Sequence, residues 1–178
     1  MRRLSFVFSF CLLGMIISAQ PYKPDWKSID KRSVPSWFED AKLGIFIHWG
    51  LYSVPAWSPK GTYSEWYKYW LDNKKLFGNG DFKGTEIYDY HVKTYGEGFT
   101  YADFAPLFKA QDYDANEWAA LFKEAGAKYA VLTTKHHDGF AMFHSKVDKY
   151  NVVDATPFGR DVIGEIAEAC YKHGLKMG

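Results

Sequence analysis

The chain has 178 residues and is nearly neutral, with 22 Lys and Arg against 21 Asp and Glu, a formal charge of +1. That balance excludes an electrostatic footprint for nucleic acid and a polybasic membrane patch. Two cysteines, Cys11 and Cys170, leave no internal disulfide once an N-terminal leader carrying Cys11 is removed. An aromatic content of 19 % fits either a ring-filled core or a ligand with an apolar face.

Residues 1–19 read as a signal peptide. Arg2 and Arg3 precede the apolar run Leu4 to Ile17, and Ser18-Ala19-Gln20 supplies a small-residue cleavage site. The run is shorter than the ~20 apolar residues a membrane span needs. Cleavage after Ala19 leaves 20 basic against 21 acidic residues, a net charge of −1. The mature chain is therefore expected to be secreted or periplasmic, without a membrane span.

Residues 20–36 carry Pro21, Pro24 and Pro35 among charged side chains and read as an irregular lead-in. The rest, 37–178, reads as one domain. A helical turn over 37–42 leads into Leu43 to His48, a compact apolar strand ending in His. Residues 64–71 have helical character, with Trp66, Tyr69 and Trp70 on one face. Residues 72–100 are polar, contain five glycines, and read as a long loop. A helix around Phe104, Leu107 and Phe108 is expected over 101–109.

Asp114 is placed to cap a helix with Glu117 at its third position. Trp118, Leu121, Phe122 and Ala125 form the stripe expected to face inward, and Gly126 ends the element. Tyr129 to Thr134 follows as a strand buried on both faces, closing on Lys135, His136, His137 and Asp138 before Gly139. Asp161 to His173 reads as a second amphipathic helix, with Val162, Ile163, Ile166, Ala169 and Cys170 inward. Cys170 is thus expected to be an inert buried thiol. A third strand begins near Leu175, where the sequence stops, so a piece of a longer protein is expected.

Strands joined by helical crossovers, the first two ending in His, predict an α/β fold. They suit the first two to three units of a (β/α)8 TIM-like barrel. A doubly wound sheet is the rival, but no glycine-rich phosphate loop follows the first strand. Metal binding is not expected: His136 and His137 are adjacent and point apart on extended backbone, and no Cys cluster is present. A site of two histidines with Asp138 is the weaker alternative. No Gly-x-Ser-x-Gly elbow supports serine chemistry. Neutral histidine both donates and accepts, as a sugar hydroxyl does. His48, Glu65, Trp66, His136 and His137 are therefore candidates for holding a sugar. His91, His144 and His173 read as structural histidines.

The segments Trp37-Phe38 through Asp40-Ala41-Lys42 and Gly44-Ile45-Phe46-Ile47-His48-Trp49-Gly50, then Glu65-Trp66-Tyr67, Tyr101 with Phe104, and Lys135-His136-His137-Asp138-Gly139-Phe140 occur in that order. In this combination the chain resembles the α-L-fucosidases of glycoside hydrolase family 29. The resemblance implies a retaining exo-glycosidase on a (β/α)8-like barrel, acting without a cofactor on fucosylated glycans or glycoproteins. It implies fucose contacts from His48, Glu65, Trp66, His136 and His137. It also implies that the nucleophilic Asp and the acid/base carboxylate, which retention requires, lie beyond Gly178. A non-catalytic carbohydrate-binding relative, and a barrel glycosidase for another sugar, are the alternatives.

Overall fold

The computed structural model describes residues 22–73 and 83–178, which fall into two compact units divided between Ser36 and Trp37. The expected signal peptide lies outside the described residues. In the first unit the lead-in contains one helical turn, α1 (Trp26–Ile29), capped by Asp25, whose side chain accepts from the Ser28 amide. Composition dominated by proline and charge conceals so short an element.

The second unit is built on three parallel strands in sequential order: β1 (Gly44–Ile47), β2 (Tyr129–Leu132) and β3 (Lys176–Met177). β1 follows α2 (Ser36–Ala41). Gly44 pairs with Tyr129 and Ile47 with Leu132. Beyond that register, the Thr133 amide and hydroxyl both donate to the Ile47 carbonyl, each at 3.0 Å. The carboxyl ends of β1 and β2 are thereby fixed side by side.

Side chains alternate across the sheet, and one face is packed into the core while the other is only partly covered, with Trp37 and Phe38 against Tyr129. Ile45, Ile47, Ala130 and Leu132 join the core with Ala119 and Phe122 of α5 (Ala115–Glu124) and Ile166 and Cys170 of α7 (Val162–Lys172). On the other face Phe46 is 67 % exposed. The expectation of strands buried on both faces is corrected here: an apolar run records capacity for burial, not the presence of a second layer.

Asp114 caps α5 as expected, accepting from the Asn116 and Glu117 amides. The buried stripe is Ala115, Ala119 and Phe122, with Trp118 half-buried. Leu121 is 62 % exposed rather than inward. Ala115, Ala119 and Phe122 take the inward face of the helix, which leaves Leu121 on the outer side. Asp161 caps α7 through the Gly164 amide, and Val162, Ile166, Ala169 and Cys170 are buried, with Ile163 half-buried. Gly126 and Gly174 end these helices at φ +87° and +70°, conformations that glycine adopts freely.

The connection from β1 to β2 contains a 3₁₀ turn Ser64–Trp66 leading into α3 (Tyr67–Asp72), then α4 (Lys83–Tyr95) and a 3₁₀ helix Tyr101–Leu107. The thirteen-residue α4 corrects the expected loop over 72–100, part of which lies outside the described residues. Its inward stripe is Ile87 and His91, with Tyr90 stacked on Trp57 at 3.9 Å. A stripe made of His and Tyr escapes a hydrophobicity count. His91 Nε2 donates to the Phe99 carbonyl at 2.7 Å, so its Nδ1 accepts from the Tyr67 hydroxyl at 3.0 Å. In the 3₁₀ helix Phe104 is buried, as is Phe108 just past its end, while Leu107 is 47 % exposed rather than inward.

A short helix, α6 (Val152–Ala155), closes the loop after β2. Its cap Asn151 is fully buried and makes four hydrogen bonds: to the Asp148 carbonyl, to Asp154 Oδ2, and from the Val153 and Asp154 amides. Among the described residues most aromatic side chains belong to the core or pack against it, including Trp49 against Phe108, Tyr113 and Trp118 at 5.2–5.3 Å. The core accounts for most of the aromatic excess. No helix among the described residues is long and apolar enough to cross a membrane.

Candidate functional site

The site lies where β1 and β2 end. Alternation after Ile47 sends Trp49 into the core and leaves His48 exposed. The segment after β2 is tied back by a bridge between Lys135 and Ala141 and by the Met142 amide donating to the Thr134 carbonyl at 2.9 Å. Gly139, at φ +79°, lets its own amide turn back to the His136 carbonyl at 3.1 Å. This turn presents His136 and His137 beside His48.

All five sugar-contact candidates are brought into one cluster from three separate segments. His48 and His136 meet edge to face at 5.6 Å, and Trp66 approaches His136 at 5.7 Å. The His137 ring lies nearly parallel to the Trp66 indole, 12° between planes and 4.6 Å between centroids. His137 Nε2 is 2.8 Å from the Glu65 carbonyl. A carbonyl only accepts, so Nε2 carries the proton and, in the neutral ring, Nδ1 is free to accept. Glu65 thus holds His137 through its backbone, leaving its carboxylate available near His136.

Asp138 is the anchor beneath the histidines. It is 5 % exposed and accepts from the Tyr101 hydroxyl at 2.8 Å and the Phe140 amide at 3.1 Å. Tyr52, Tyr101 and Tyr150 are held well above the usual phenol range, by burial first and then by the charge of Asp138. Each is therefore a protonated hydroxyl at neutral pH. His136 is pushed below its ordinary range by burial first and then by His137, with His48 adding to it and Asp138 and Glu65 opposing. A neutral imidazole offers one donor and one acceptor.

Two polar atoms here are buried without a hydrogen-bond partner among the described residues: the Tyr52 hydroxyl and His136 Nδ1. Their rings are 5.7 Å apart. Tyr52 also lies against Gly50, where a Cβ would come within 2.9 Å of its ring. Tyr52 is the residue here that the sequence does not single out; it offers Asp138 as a metal ligand and Tyr101 as part of a motif, neither as a support for the histidines. The only signal for Tyr52 was its place just after His48-Trp49-Gly50.

His91, His144 and His173 lie outside the cluster. His144 Nε2 is 3.6 Å from Asp154, and His173 donates to the Asn116 side chain at 2.9 Å. Cys170 is fully buried, which pushes its thiol pKa up. Among the described residues no three His, Cys, Asp or Glu side chains are grouped to hold a metal ion. The arrangement is suited to hydrogen bonding and ring packing against a neutral polyol.

A family model described as α-L-fucosidase matches residues 10–178. The α-L-fucosidase of Dictyostelium discoideum is 41 % identical over 97 % of this chain and 36 % of its own length. Human tissue α-L-fucosidase is 44 % identical over 90 % of this chain and 32 % of its own. The crystal structure of Thermotoga maritima α-fucosidase in complex with fucose superimposes with a TM-score of 0.77 at 47 % identity. The match covers 88 % of this chain and 36 % of that one. An unliganded α-L-fucosidase from Lactobacillus casei gives 0.60 at 44 % identity, over 80 % and 38 %. The chain spans about a third of the length of the curated relatives it matches.

Proposed function

This chain belongs to the α-L-fucosidase family, and from that membership we propose that the protein carrying it is an exo-acting, retaining α-L-fucosidase. Its substrate is a terminal α-L-fucose on an oligosaccharide or glycoconjugate. The site described here forms the wall that holds the fucose. His48, His136, His137 and the Glu65 carboxylate bind ring hydroxyls, and Trp66 lines the pocket.

Turnover requires two further carboxyl groups, and we place both outside this chain. The nucleophilic carboxylate attacks the anomeric carbon while the bond to the aglycone oxygen breaks and that oxygen takes the proton of the acid. Water, deprotonated by the same group, then displaces the carboxylate and releases fucose with its configuration retained. Asp138 has neither role, because both its oxygens accept hydrogen bonds from Tyr101 and Phe140 in a buried position. The sequential parallel order of β1, β2 and β3, with α5 and α7 in the core against one face, supports a (β/α)8 barrel. Phe46, Tyr129 and Val131 then face the barrel interior. Residues 1–19 direct export to the periplasm or medium, and the exported protein begins at Gln20.

One observation carries the reading. Four rings named for a sugar site, His48, Trp66, His136 and His137, meet at centroid distances of 4.6–5.7 Å where β1 and β2 end, and Glu65 joins them through its carbonyl on His137 Nε2 at 2.8 Å. The test is hydrolysis of a chromogenic α-L-fucoside by the full-length protein, with α- and β-galactosides alongside. Selective fucoside cleavage that collapses in His136→Ala is the expected result. Cleavage of a galactoside instead, or of nothing, overturns it. Residues 20–178 alone are expected to hydrolyse none of the three.

A further inference from the structure

Glu65 and Trp66 sit on a support that cannot hold itself. The 3₁₀ turn Ser64–Trp66 has three residues and α3 has six, and neither is closed by a side-chain cap. Helices this short are marginal alone. Yet the Trp66 indole lies nearly parallel to the His137 ring, and the Glu65 carbonyl accepts from His137 Nε2. Both contacts need the turn held in one place.

The next residue supplies the anchor. Tyr67 is fully buried. Burial first, then Tyr95 and Tyr90, hold its hydroxyl above the usual phenol range, so at neutral pH it is a donor. Its acceptor is His91 Nδ1 of α4 at 3.0 Å, and His91 Nε2 donates in turn to the Phe99 carbonyl at 2.7 Å. His91 is 2 % exposed, with both ring nitrogens committed. Two residues after Phe99 comes Tyr101, whose hydroxyl donates to Asp138 beneath the histidines. His91 thus ties together two segments that meet at the cluster. Through Tyr67 it holds the one that carries Glu65 and Trp66. Through Phe99 it holds the one that reaches Asp138. Trp70 and Leu71 pack against the core, but apolar packing is non-directional, whereas two hydrogen bonds on one rigid ring fix an orientation.

We propose that His91 is a positioning residue for the sugar site: through Tyr67 and the Phe99 carbonyl it sets Glu65 and Trp66 against His136 and His137. This rests on the reading of the cluster as a fucose wall. His91 touches no sugar, and its effect reaches the ligand only through the wall it orients.

The experiment uses the full-length protein and reads the inhibition constant of L-fucose together with KM and kcat on a chromogenic α-L-fucoside. Tyr67→Phe deletes the hydroxyl and keeps the buried ring. His91→Phe deletes both hydrogen bonds. His91→Gln keeps an acceptor for Tyr67 and a donor for Phe99. The inhibition constant and KM are expected to rise together, about threefold in Tyr67→Phe and about tenfold in His91→Phe, the scale of part of one lost hydrogen bond and of two. With ground-state and transition-state binding weakened alike, kcat stays near wild type. His91→Gln is expected to recover most of the loss. A merely structural role reads differently. An unstable variant leaves fewer folded molecules and a lower apparent kcat, while those still folded bind L-fucose with the wild-type inhibition constant. That result overturns the positioning role and leaves the fucosidase reading standing. A wild-type protein that neither binds L-fucose nor cleaves the fucoside overturns the fucosidase reading, and the positioning role with it.

Discussion

His137 lies flat on Trp66, 4.6 Å between ring centroids, while its Nε2–H donates to the Glu65 carbonyl at 2.8 Å. One side chain from the end of β2 thus fixes the orientation of two residues that enter from the opposite wall. His137→Ala removes both contacts. The inhibition constant for free L-fucose is expected to rise about tenfold, as for a lost hydrogen bond plus a loosened neighbour. His137→Phe, which restores the ring, recovers part of that loss. A wild-type inhibition constant in His137→Ala means that the pair does not shape the pocket.

Two buried tyrosines beside the same cluster have opposite hydrogen-bond status. Tyr101 donates to Asp138 at 2.8 Å, whereas the Tyr52 hydroxyl has no partner among the described residues. Tyr101→Phe leaves a buried carboxylate oxygen short of its O–H donor and is expected to cost about 2–3 kcal/mol. Tyr52→Phe removes an unsatisfied hydroxyl and is expected to be neutral, or stabilising by up to about 1 kcal/mol. Urea unfolding of the full-length variants separates the two. A Tyr52→Phe loss as large as that of Tyr101→Phe shows that the Tyr52 hydroxyl is bonded.

Gly44 is where β1 passes beneath the Tyr129 ring, and a Cβ there would lie 2.1 Å from Tyr129 Cζ. The ring has little room to retreat, since Trp37, Phe38 and Phe46 pack around it at 5.6–6.4 Å. Gly44→Ala is expected to destabilise by about 1–3 kcal/mol, the usual cost of overpacking. Adding Tyr129→Leu relieves the clash, so the double variant is expected to lose less than the two single losses together. Additive losses place the cost elsewhere.

His136 is held below its ordinary range by burial, then by His137 and His48. Where the native pKa is depressed, the unfolded chain binds the proton more readily, so stability falls as pH drops below the unfolded value of about 6.5. The loss continues until the pH reaches the native pKa of His136. Melting temperatures from pH 7.5 to 5 are expected to decline more steeply for the wild type than for His136→Gln, which takes up no proton. Fucose affinity of the folded protein falls only as the pH nears the lower native pKa, where His136 becomes an imidazolium with no lone pair for a sugar hydroxyl. Parallel melting curves remove His136 from the acid response.

Local signals were legible in the sequence because they act over a few residues. Asp114 was readable as a cap, Gly126 as a helix end, and the apolar runs before His48 and His136 as strands. These depend on backbone hydrogen bonds and side-chain period alone. Helix α4 was hidden because Ile87 and His91 bury a stripe that is half imidazole, acceptable only because Tyr67 and the Phe99 carbonyl satisfy it.

The sequence by itself named the candidates that meet where β1 and β2 end: three histidines, a carboxylate and an indole, each identifiable from its motif. Tertiary structure alone decided that Asp138 lies buried beneath them, bonded to the Tyr101 hydroxyl and the Phe140 amide. It also decided that Glu65 grips His137 through its carbonyl and that Leu121 and Phe46 point away from the core. Those outcomes depend on what stands across a gap, and residue identity encodes a side chain's capacity to bond or be buried, not which partner arrives to meet it.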